Sequence, residues 1–455
     1  MTGIHPFESA SSQTGGECAH DALRAQHALD RLAELHPKLI DLGLDRTFAL
    51  LKRLGNPHQA LPPTIHVSGT NGKGSVIANM RAMAEGCGLR VHVYSSPHLC
   101  RFNERIRLAG ALISDGALAD LLEEVEAVNG TNEVTFFEVT TAAAMLAFSR
   151  SDADLLLLET GLGGTLDSTN VLDAPLATII TPIARDHEHF LGKDLATIAS
   201  QKAGIMRSNT PCFSAQQEAI VAHEIVAHAS GIGAQLYSAA IDFNGRQTAD
   251  GRITLAFDNT HLSETELSLP KPSLLGAHQI DNASLAAAAL IHALGSSHNL
   301  APETIIAGLG NATWPGRIQK LDKGDLTALL PDQSIWLDGA HNAHGAKALA
   351  AALPEIHDGQ WTVICGALNT RDPSEFLAPI SSIAGHVYTL TIPDQPASLT
   401  ANELAASALS IELAASPVGS IQEALTHADT NQPVIICGSL YLAGHILKEN
   451  KTLPV

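Results

Sequence analysis

The chain has 455 residues, with 27 Lys and Arg against 47 Asp and Glu, for a net charge of −20. That length exceeds what one hydrophobic core usually organises and predicts two domains. The acidic balance and the 4% aromatic content argue against a general nucleic-acid surface, so an anionic substrate needs a local basic site.

Six cysteines, at 18, 87, 100, 212, 365 and 437, lack CxxC pairs and zinc spacing and read as reduced thiols of a cytoplasmic protein. Glu8, Glu17 and Asp21 near the start do not fit a signal peptide, and no apolar run approaches membrane-spanning length. Residues 1–18, rich in Ser, Gly and Thr, read as a tail without fixed structure.

In chain order, helical patterns at 21–35 and 45–54 lead to an apolar β-branched run at 64–68. A turn follows with Gly69, Gly72 and Gly74 around Lys73, then helical character from Ser75 to Cys87. Strand, glycine turn and helix in that order form a phosphate cradle: backbone N–H groups converge on anionic oxygens, the helix N-terminus adds its dipole, and Lys73 adds a movable cation. The match to the common P-loop is incomplete. Val67 stands at its first glycine, and Gly74 follows the lysine with the hydroxyl one place later at Ser75, so a further magnesium ligand is expected elsewhere.

Strands are predicted at 91–95, 154–159 and 176–181, and helices at 115–128, 138–150, 194–204 and 281–294; residues 231–270 suggest a β-hairpin excursion. After 299–302 the pattern restarts, with apolar strands at 335–338, 361–365, 386–391 and 434–437; Pro302 could instead open a helix at 302–309. The expected organisation is an α/β chain: a P-loop nucleotide-binding parallel-sheet domain over 1–299, then a smaller Rossmann-like α/β domain over 300–455.

In open parallel sheets, ligands gather beyond the carboxyl ends of the strands. Glu159 ends one strand and precedes Gly161, Gly163, Gly164, Asp167, Ser168 and Asn170; the next strand leads to Asp186, His187, Glu188 and His189. Magnesium prefers oxygen donors and often bridges phosphates, which suits Glu159 better than a histidine site, with Ser96 as a further candidate and His189 as a bystander. Arg101, Arg105 and Arg107 read either as a solvated basic face or as a place for an anionic substrate.

Taken in order, residues 54–58 (LGNPH), 66–75 (HVSGTNGKGS), 95–99 (SSPHL), 102–106 (FNERI), 136–138 (FFE), 159–164 (ETGLGG), Asp186-His187 and 201–205 (QKAGI) resemble the folylpolyglutamate synthase and dihydrofolate synthase family of Mur-type amide ligases. Further matches are 276–279 (GAHQ) with Asn282, 315–317 (PGR), 337–342 (LDGAHN) and 437–441 (CGSLY). The resemblance implies an ATP- and Mg2+-dependent ligase joining L-glutamate to the carboxylate of dihydropteroate or a folate through an acyl phosphate. It also implies a cytoplasmic monomer whose active site lies between two domains, with no nucleic-acid or membrane partner.

By the same resemblance, Thr70, Asn71, Gly72, Lys73, Gly74 and Ser75 would hold the ATP phosphates, and Asn282, Arg317 and Asp338 would also contact ATP. Ser96, Glu159, His187 and a carbamylated Lys202 would hold metal, making Lys73, His187 and Lys202 the catalytic set. Thr135, Phe136, Phe137, Glu138, Leu166, Asp167 and Ser168 match pterin-site positions, and His341 and Ser439 match glutamate contacts. Thr165 departs from the family's usual arginine and removes a bidentate cation there. A ligase acting on a UDP-linked cell-wall precursor and a nucleotide-binding regulator without ligase activity stand as alternatives.

Overall fold

The computed structural model describes residues 15–35, 41–258 and 266–455, so most of the expected tail lies outside the described residues. Within that tail, Gly15 already opens the first helix, Gly15–Ala33. The chain forms two compact units. The first comprises the described residues of Met1–Pro97, Phe102–Lys271 and Asn282–Asn311; the second comprises His98–Arg101, Pro272–Asp281 and Ala312–Val455. The second unit therefore draws two short segments from before residue 299, which apolar periodicity alone does not announce.

The first unit is built on β1 (Thr64–Ser68), β2 (Val91–Tyr94), β3 (Ile106–Leu108), β4 (Ala111–Leu112), β5 (Leu155–Glu159), β6 (Ala177–Ile180), β7 (Pro211–Ser214) and β8 (Gln235–Ser238). They form one sheet in the order β4-β3-β2-β5-β1-β6-β7-β8, in which β3 alone runs antiparallel, pairing with β2 on one side and with β4 on the other. Every residue of β1, β2, β5 and β6 is buried, as expected for strands covered by helices on both faces. Helices Gly15–Ala33, Asp45–Arg53, Asp115–Asn129 and Phe136–Arg150 contribute to one apolar core, whereas Leu195–Ala203 and Ala219–Ile232 contribute to another.

Because β1 lies between β5 and β6, chain order reverses about it, and loops on either side separate at its carboxyl end. Val67 pairs in register with Glu159, and Ser68 with Ile180. The excursion at 231–270 divides: β8 completes the main sheet, and β9 (Phe243–Gln247), β10 (Ile253–Phe257) and β11 (Leu267–Leu269) form a separate antiparallel sheet. The expected helix at 281–294 extends over His278–His298, and the one opened by Pro302 stops at Ile306.

The second unit has β12 (Gln319–Lys320), β13 (Ile335–Leu337), β14 (Trp361–Cys365), β15 (Ala384–Thr389), β16 (Ala415–Pro417) and β17 (Val434–Cys437), ordered β12-β13-β17-β14-β15-β16. Only β12 is antiparallel to its neighbour, and apolar cores line both faces. This is the smaller α/β sheet expected from the four apolar runs, with two short edge strands added.

Two buried polar ties hold the first unit's layers in place. Thr135 and Glu138 form a capping box at the start of Phe136–Arg150, and Glu138 also accepts three hydrogen bonds of 2.9 to 3.1 Å from Arg46. Glu138 is 2% exposed, so truncating it leaves the Arg46 guanidinium and the Thr135 amide short of an acceptor.

On β1, His66 Nε2 lies 2.9 Å from Thr169 Oγ1, whose own proton goes to Asp167 Oδ1. His66 must then donate from Nε2. Its buried Nδ1 has no hydrogen-bond partner among the described residues, and burial pushes the imidazole down to about 3. Protonating Nδ1 would create an unsatisfied buried donor.

Glu138→Ala is expected to lower the unfolding free energy by roughly 2–3 kcal/mol, read from urea denaturation. His66 should make the protein acid-sensitive. An unfolded histidine binds a proton below pH 6.5 while the folded one stays neutral to about pH 3, so stability falls with pH in that window, by about 2 kcal/mol at pH 5. His66→Gln, which keeps the donor, should remove that component from the stability-versus-pH curve, and an unchanged slope would refute the assignment.

Candidate active site

The turn after β1 requires two left-handed glycines, Gly69 at φ 141° and Gly72 at φ 90°. A Cβ at Gly69 would collide with the Thr181 side chain, and one at Gly72 would come 2.7 Å from Asn282 Oδ1. Asn282 thus adjoins the turn although it lies 210 residues later in the sequence.

The helix begins at Lys73, two residues earlier than its sequence pattern suggests, and its first intrahelical bond runs from Val76 N–H to Gly72 O. Lys73, Gly74 and Ser75 therefore present first-turn amides at the positive end of the helix dipole, an arrangement suited to phosphate. Thr70 and Asn71 direct their amides to Pro182 O, at 3.0 and 3.2 Å, and the Thr70 hydroxyl bonds Ala184. Those two residues pin the turn to the segment after β6.

Lys73 folds back over this turn: Nζ lies 3.2 Å from Gly69 O, 3.4 Å from Thr70 O and 3.8 Å from Glu159 Oε1. Glu159, buried at the end of β5, accepts the Ser96 N–H through Oε2 at 3.2 Å. Lys202 reaches the same turn from helix Leu195–Ala203, donating to Gly69 O at 2.9 Å. Burial, reinforced by the charge of Lys73, pushes the Lys202 amine down to about 7 against the opposing pull of Asp186 and Asp167.

His187 is half exposed, holds a left-handed φ of 51° and sits 3.6 Å from Asp186 Oδ1. His189 packs its ring edge-on to Phe190. Among the described residues no three His, Cys, Asp or Glu gather as a metal cage. One buried carboxylate with a neighbouring serine fits an ion that takes its remaining oxygens from phosphate and water. Lys202 suits such a donor set only when its amine carries an anionic group.

The pterin-site candidates come together but divide into frame and lining. Thr135 and Glu138 are held in the capping box and the Arg46 clamp. Asp167 accepts from the amides of Gly161, Leu162 and Thr169 and from the Thr169 hydroxyl; burial raises its carboxyl while these bonds lower it. Ser168 is buried. Phe137 lies over Gly161, where a Cβ would come 2.7 Å from ring Cε2, and within 6.4 Å of the Tyr94 ring; Phe136 meets Phe102 edge-on at 6.0 Å. Leu166 is 40% exposed and available to an apolar ligand face.

Of the three arginines considered as one basic face, Arg101 bonds Pro454 O, Arg105 covers the Phe102 ring at 5.2 Å, and Arg107 bonds Gly110 O.

In the second unit, Asp338 follows β13 and accepts Ile318 N–H at 2.8 Å and Ala340 N–H at 2.7 Å. Arg317 donates to Gly316 O at 3.4 Å beside Gly339, His341 Nδ1 donates to Gly339 O at 2.8 Å, and Ser439 caps helix Leu440–Glu449 through Tyr441 N–H. His278 joins this group: burial holds its imidazole down, Arg317 and His344 act in the same direction, and Asp338 opposes them.

Sequence reading assigned no role to Gly69 O, Asp186, Arg46 or His278. The motifs containing Asp186 and His278 were visible. Arg46 carried no signal, because its partner is 92 residues away.

Comparison with known proteins places this geometry in a family. Residues 317–440 match the model described as Mur ligase, glutamate ligase domain. A Bacillus subtilis relative named dihydrofolate synthase/folylpolyglutamate synthase is 33% identical over 90% of this chain and 95% of its own length; the Escherichia coli protein of that name is 32% identical over 92% and 94%. A crystal structure of a bifunctional folylpolyglutamate synthase/dihydrofolate synthase with Mn, AMPPNP and L-glutamate bound superposes with TM-score 0.81 at 31% identity, covering 93% of this chain and 97% of that one. Mycobacterium tuberculosis folylpolyglutamate synthase complexed with ADP and AMPPCP gives TM-score 0.82 at 27% identity, covering 96% and 100%. With the strand order, the phosphate turn and full-length relatives above 30% identity in agreement, the chain belongs to the dihydrofolate synthase/folylpolyglutamate synthase family.

Proposed function

We propose that the protein is an ATP-dependent ligase that joins the amino group of L-glutamate to the carboxylate of dihydropteroate, of tetrahydrofolate, or of both. The observation that carries this reading is the convergence of Lys73 and Lys202 on Gly69 O, with Glu159 beside Lys73, where the phosphate turn leaves β1.

A carboxylate is a poor electrophile, and phosphorylation supplies the leaving group it lacks. Its oxygen attacks the γ-phosphorus of ATP, the bond to the bridging oxygen breaks, and ADP departs. The glutamate amine then adds to the carbonyl carbon and loses a proton. The tetrahedral species collapses by C–O cleavage, releasing phosphate and leaving the amide.

In this reading the first-turn amides of Lys73, Gly74 and Ser75 and the Lys73 ammonium receive the phosphates, with Thr70 and Asn71 fixing the turn and Gly72 allowing close approach. Asn282, Arg317 and Asp338 complete the ATP contacts. Ser96, Glu159, His187 and a carbamylated Lys202 would hold Mg2+, and the ion would supply neutralisation of phosphate charge.

The depressed Lys202 amine supports the modification. Only a neutral amine adds to CO2, forming an N–C bond and releasing a proton, and near pH 7 a large fraction of Lys202 is neutral. Phe136, Phe137 and Leu166 line the pterin end, while Thr135, Glu138, Asp167 and Ser168 frame it; His341 and Ser439 receive glutamate. A cytoplasmic monomer without nucleic-acid or membrane partners belongs to the same reading and rests on the family likeness; the net charge of −20 argues against a general nucleic-acid surface, and among the described residues no helix is long and apolar enough to cross a membrane.

Purified protein with ATP, Mg2+, L-glutamate and either acceptor should yield amide, ADP and phosphate; no amide with both acceptors would reject the function. Lys73→Ala should reduce kcat by roughly 10²–10³-fold, and near-wild-type turnover would remove its phosphate role. Lys202→Ala should lose activity that a small added carboxylate partly restores, measured as phosphate release over a range of acetate concentrations.

A further inference from the structure

The loop after Glu159 and the end of the Lys202 helix are joined by a dense set of bonds that the reaction above does not use. Thr165 contributes both its amide, at 2.8 Å, and its hydroxyl, at 3.1 Å, to Gln201 O. Gly164 lies so close to the helix that a Cβ would come 2.8 Å from Lys202 O and 3.0 Å from Lys202 Cα. Asn170 Nδ2 then donates to Thr165 O and to Gly204 O, each at 3.1 Å, closing the loop against the turn that ends the helix.

Arg207 locks this arrangement from behind. Its Nη2 donates to Asn170 Oδ1 at 2.7 Å, its Nε to Leu172 O at 2.8 Å, and its Nη1 to Gly204 O, Ile205 O and Met206 O at 3.0 to 3.2 Å. Asp173 acts on Arg207 through its charge, while the hydrogen bonds given above for this partly buried guanidinium go to carbonyl and amide oxygens. A planar group with five donors can hold two chain segments in one geometry, and its charge complements the negative end of the helix Leu195–Ala203.

We propose that Asn170 and Arg207 are positioning residues of the metal centre, joining the Gly164–Asn170 loop to the end of the Lys202 helix and so fixing where Lys202 Nζ meets the phosphate turn. The proposal rests on the reading of Glu159 and Lys202 as metal-holding residues. Lys202 reaches Gly69 O by a single 2.9 Å bond, and an ångström of drift at the helix end would take its terminal atom out of reach. The same clamp holds the loop of Asp167, whose charge acts on Lys202. Thr165, where the family usually has arginine, turns its hydroxyl into this joint rather than presenting a cation.

Mn2+ binding followed by electron paramagnetic resonance, with a non-hydrolysable ATP analogue, saturating bicarbonate and no acceptor, tests the clamp without turnover. Arg207→Met and Asn170→Ala should each weaken Mn2+ about 10–100-fold relative to wild type, as loss of groups that orient metal ligands does. Arg207→Lys should recover part of the loss, and the exposed-site control Arg252→Met should bind as wild type does. Should Arg207→Met fail to fold, Asn170→Ala and Arg207→Lys decide the matter. Lower melting temperatures with unchanged Mn2+ affinity would reduce the clamp to a structural role and overturn the proposal. Wild-type protein that binds no Mn2+ with nucleotide would overturn the metal reading itself, and the clamp with it.

Discussion

One carbonyl oxygen organises the centre of the first unit. Gly69 O accepts hydrogen bonds from Lys73 Nζ and Lys202 Nζ, bringing two amines together where like charges oppose one another. Proximity is tolerable because Lys202 relinquishes its proton easily when buried and Glu159 stands 3.8 Å from Lys73. The arrangement is poised for anions: phosphate would relieve the positive charge, and a carbamate on Lys202 would reverse the sign of one partner. A lysine without such a fate would be a costly group to bury there.

The rest of the first unit serves this point. β1 lies between β5 and β6, so Glu159 and the segment after β6 flank the turn at the carboxyl edge. Gly69 has no side chain because Thr181 occupies that space, and Gly72 has none because Asn282 does. The residues framing the acceptor end are held by separate ties: Arg46 on Glu138, His66 on Thr169, and Asp167 on the amides of its own loop. These ties explain why several positions matched to substrate are buried and already bonded.

Much of the fold was legible. Continuous apolar runs such as Leu155 to Leu158 identified buried parallel strands, and glycines around Lys73 identified the phosphate turn. The edge hairpin β3–β4 and strand β7 were not marked, because strands of two to four residues are too short to show a period, and β8, inside the excursion at 231–270, joined the main sheet instead of a separate hairpin. The expected boundary near residue 299 also missed that His98–Arg101 and Pro272–Asp281 belong to the second unit, since their packing leaves no periodic trace. In the site, Glu159 and Lys202 were singled out as candidates by position and motif, and the structure brings both to the turn after β1. The use of Gly69 O, the influence of Asp186 and the clamp at Asn170 and Arg207 were not singled out.

Sequence alone determined which chemistry was available: a glycine turn with one lysine, a carboxylate ending an apolar strand, and a family's ordered motifs. Those are local properties, set by backbone permissiveness and by the period of apolar residues. Tertiary structure decided which groups share an environment, and therefore their charge and reach. Lys202 became a readily deprotonated amine only through burial beside Lys73. Arg207 became a clamp only because a loop 37 residues earlier folds back onto its helix end. Such effects depend on distance and desolvation, which pairs of residues acquire when the chain folds and which neither carries alone.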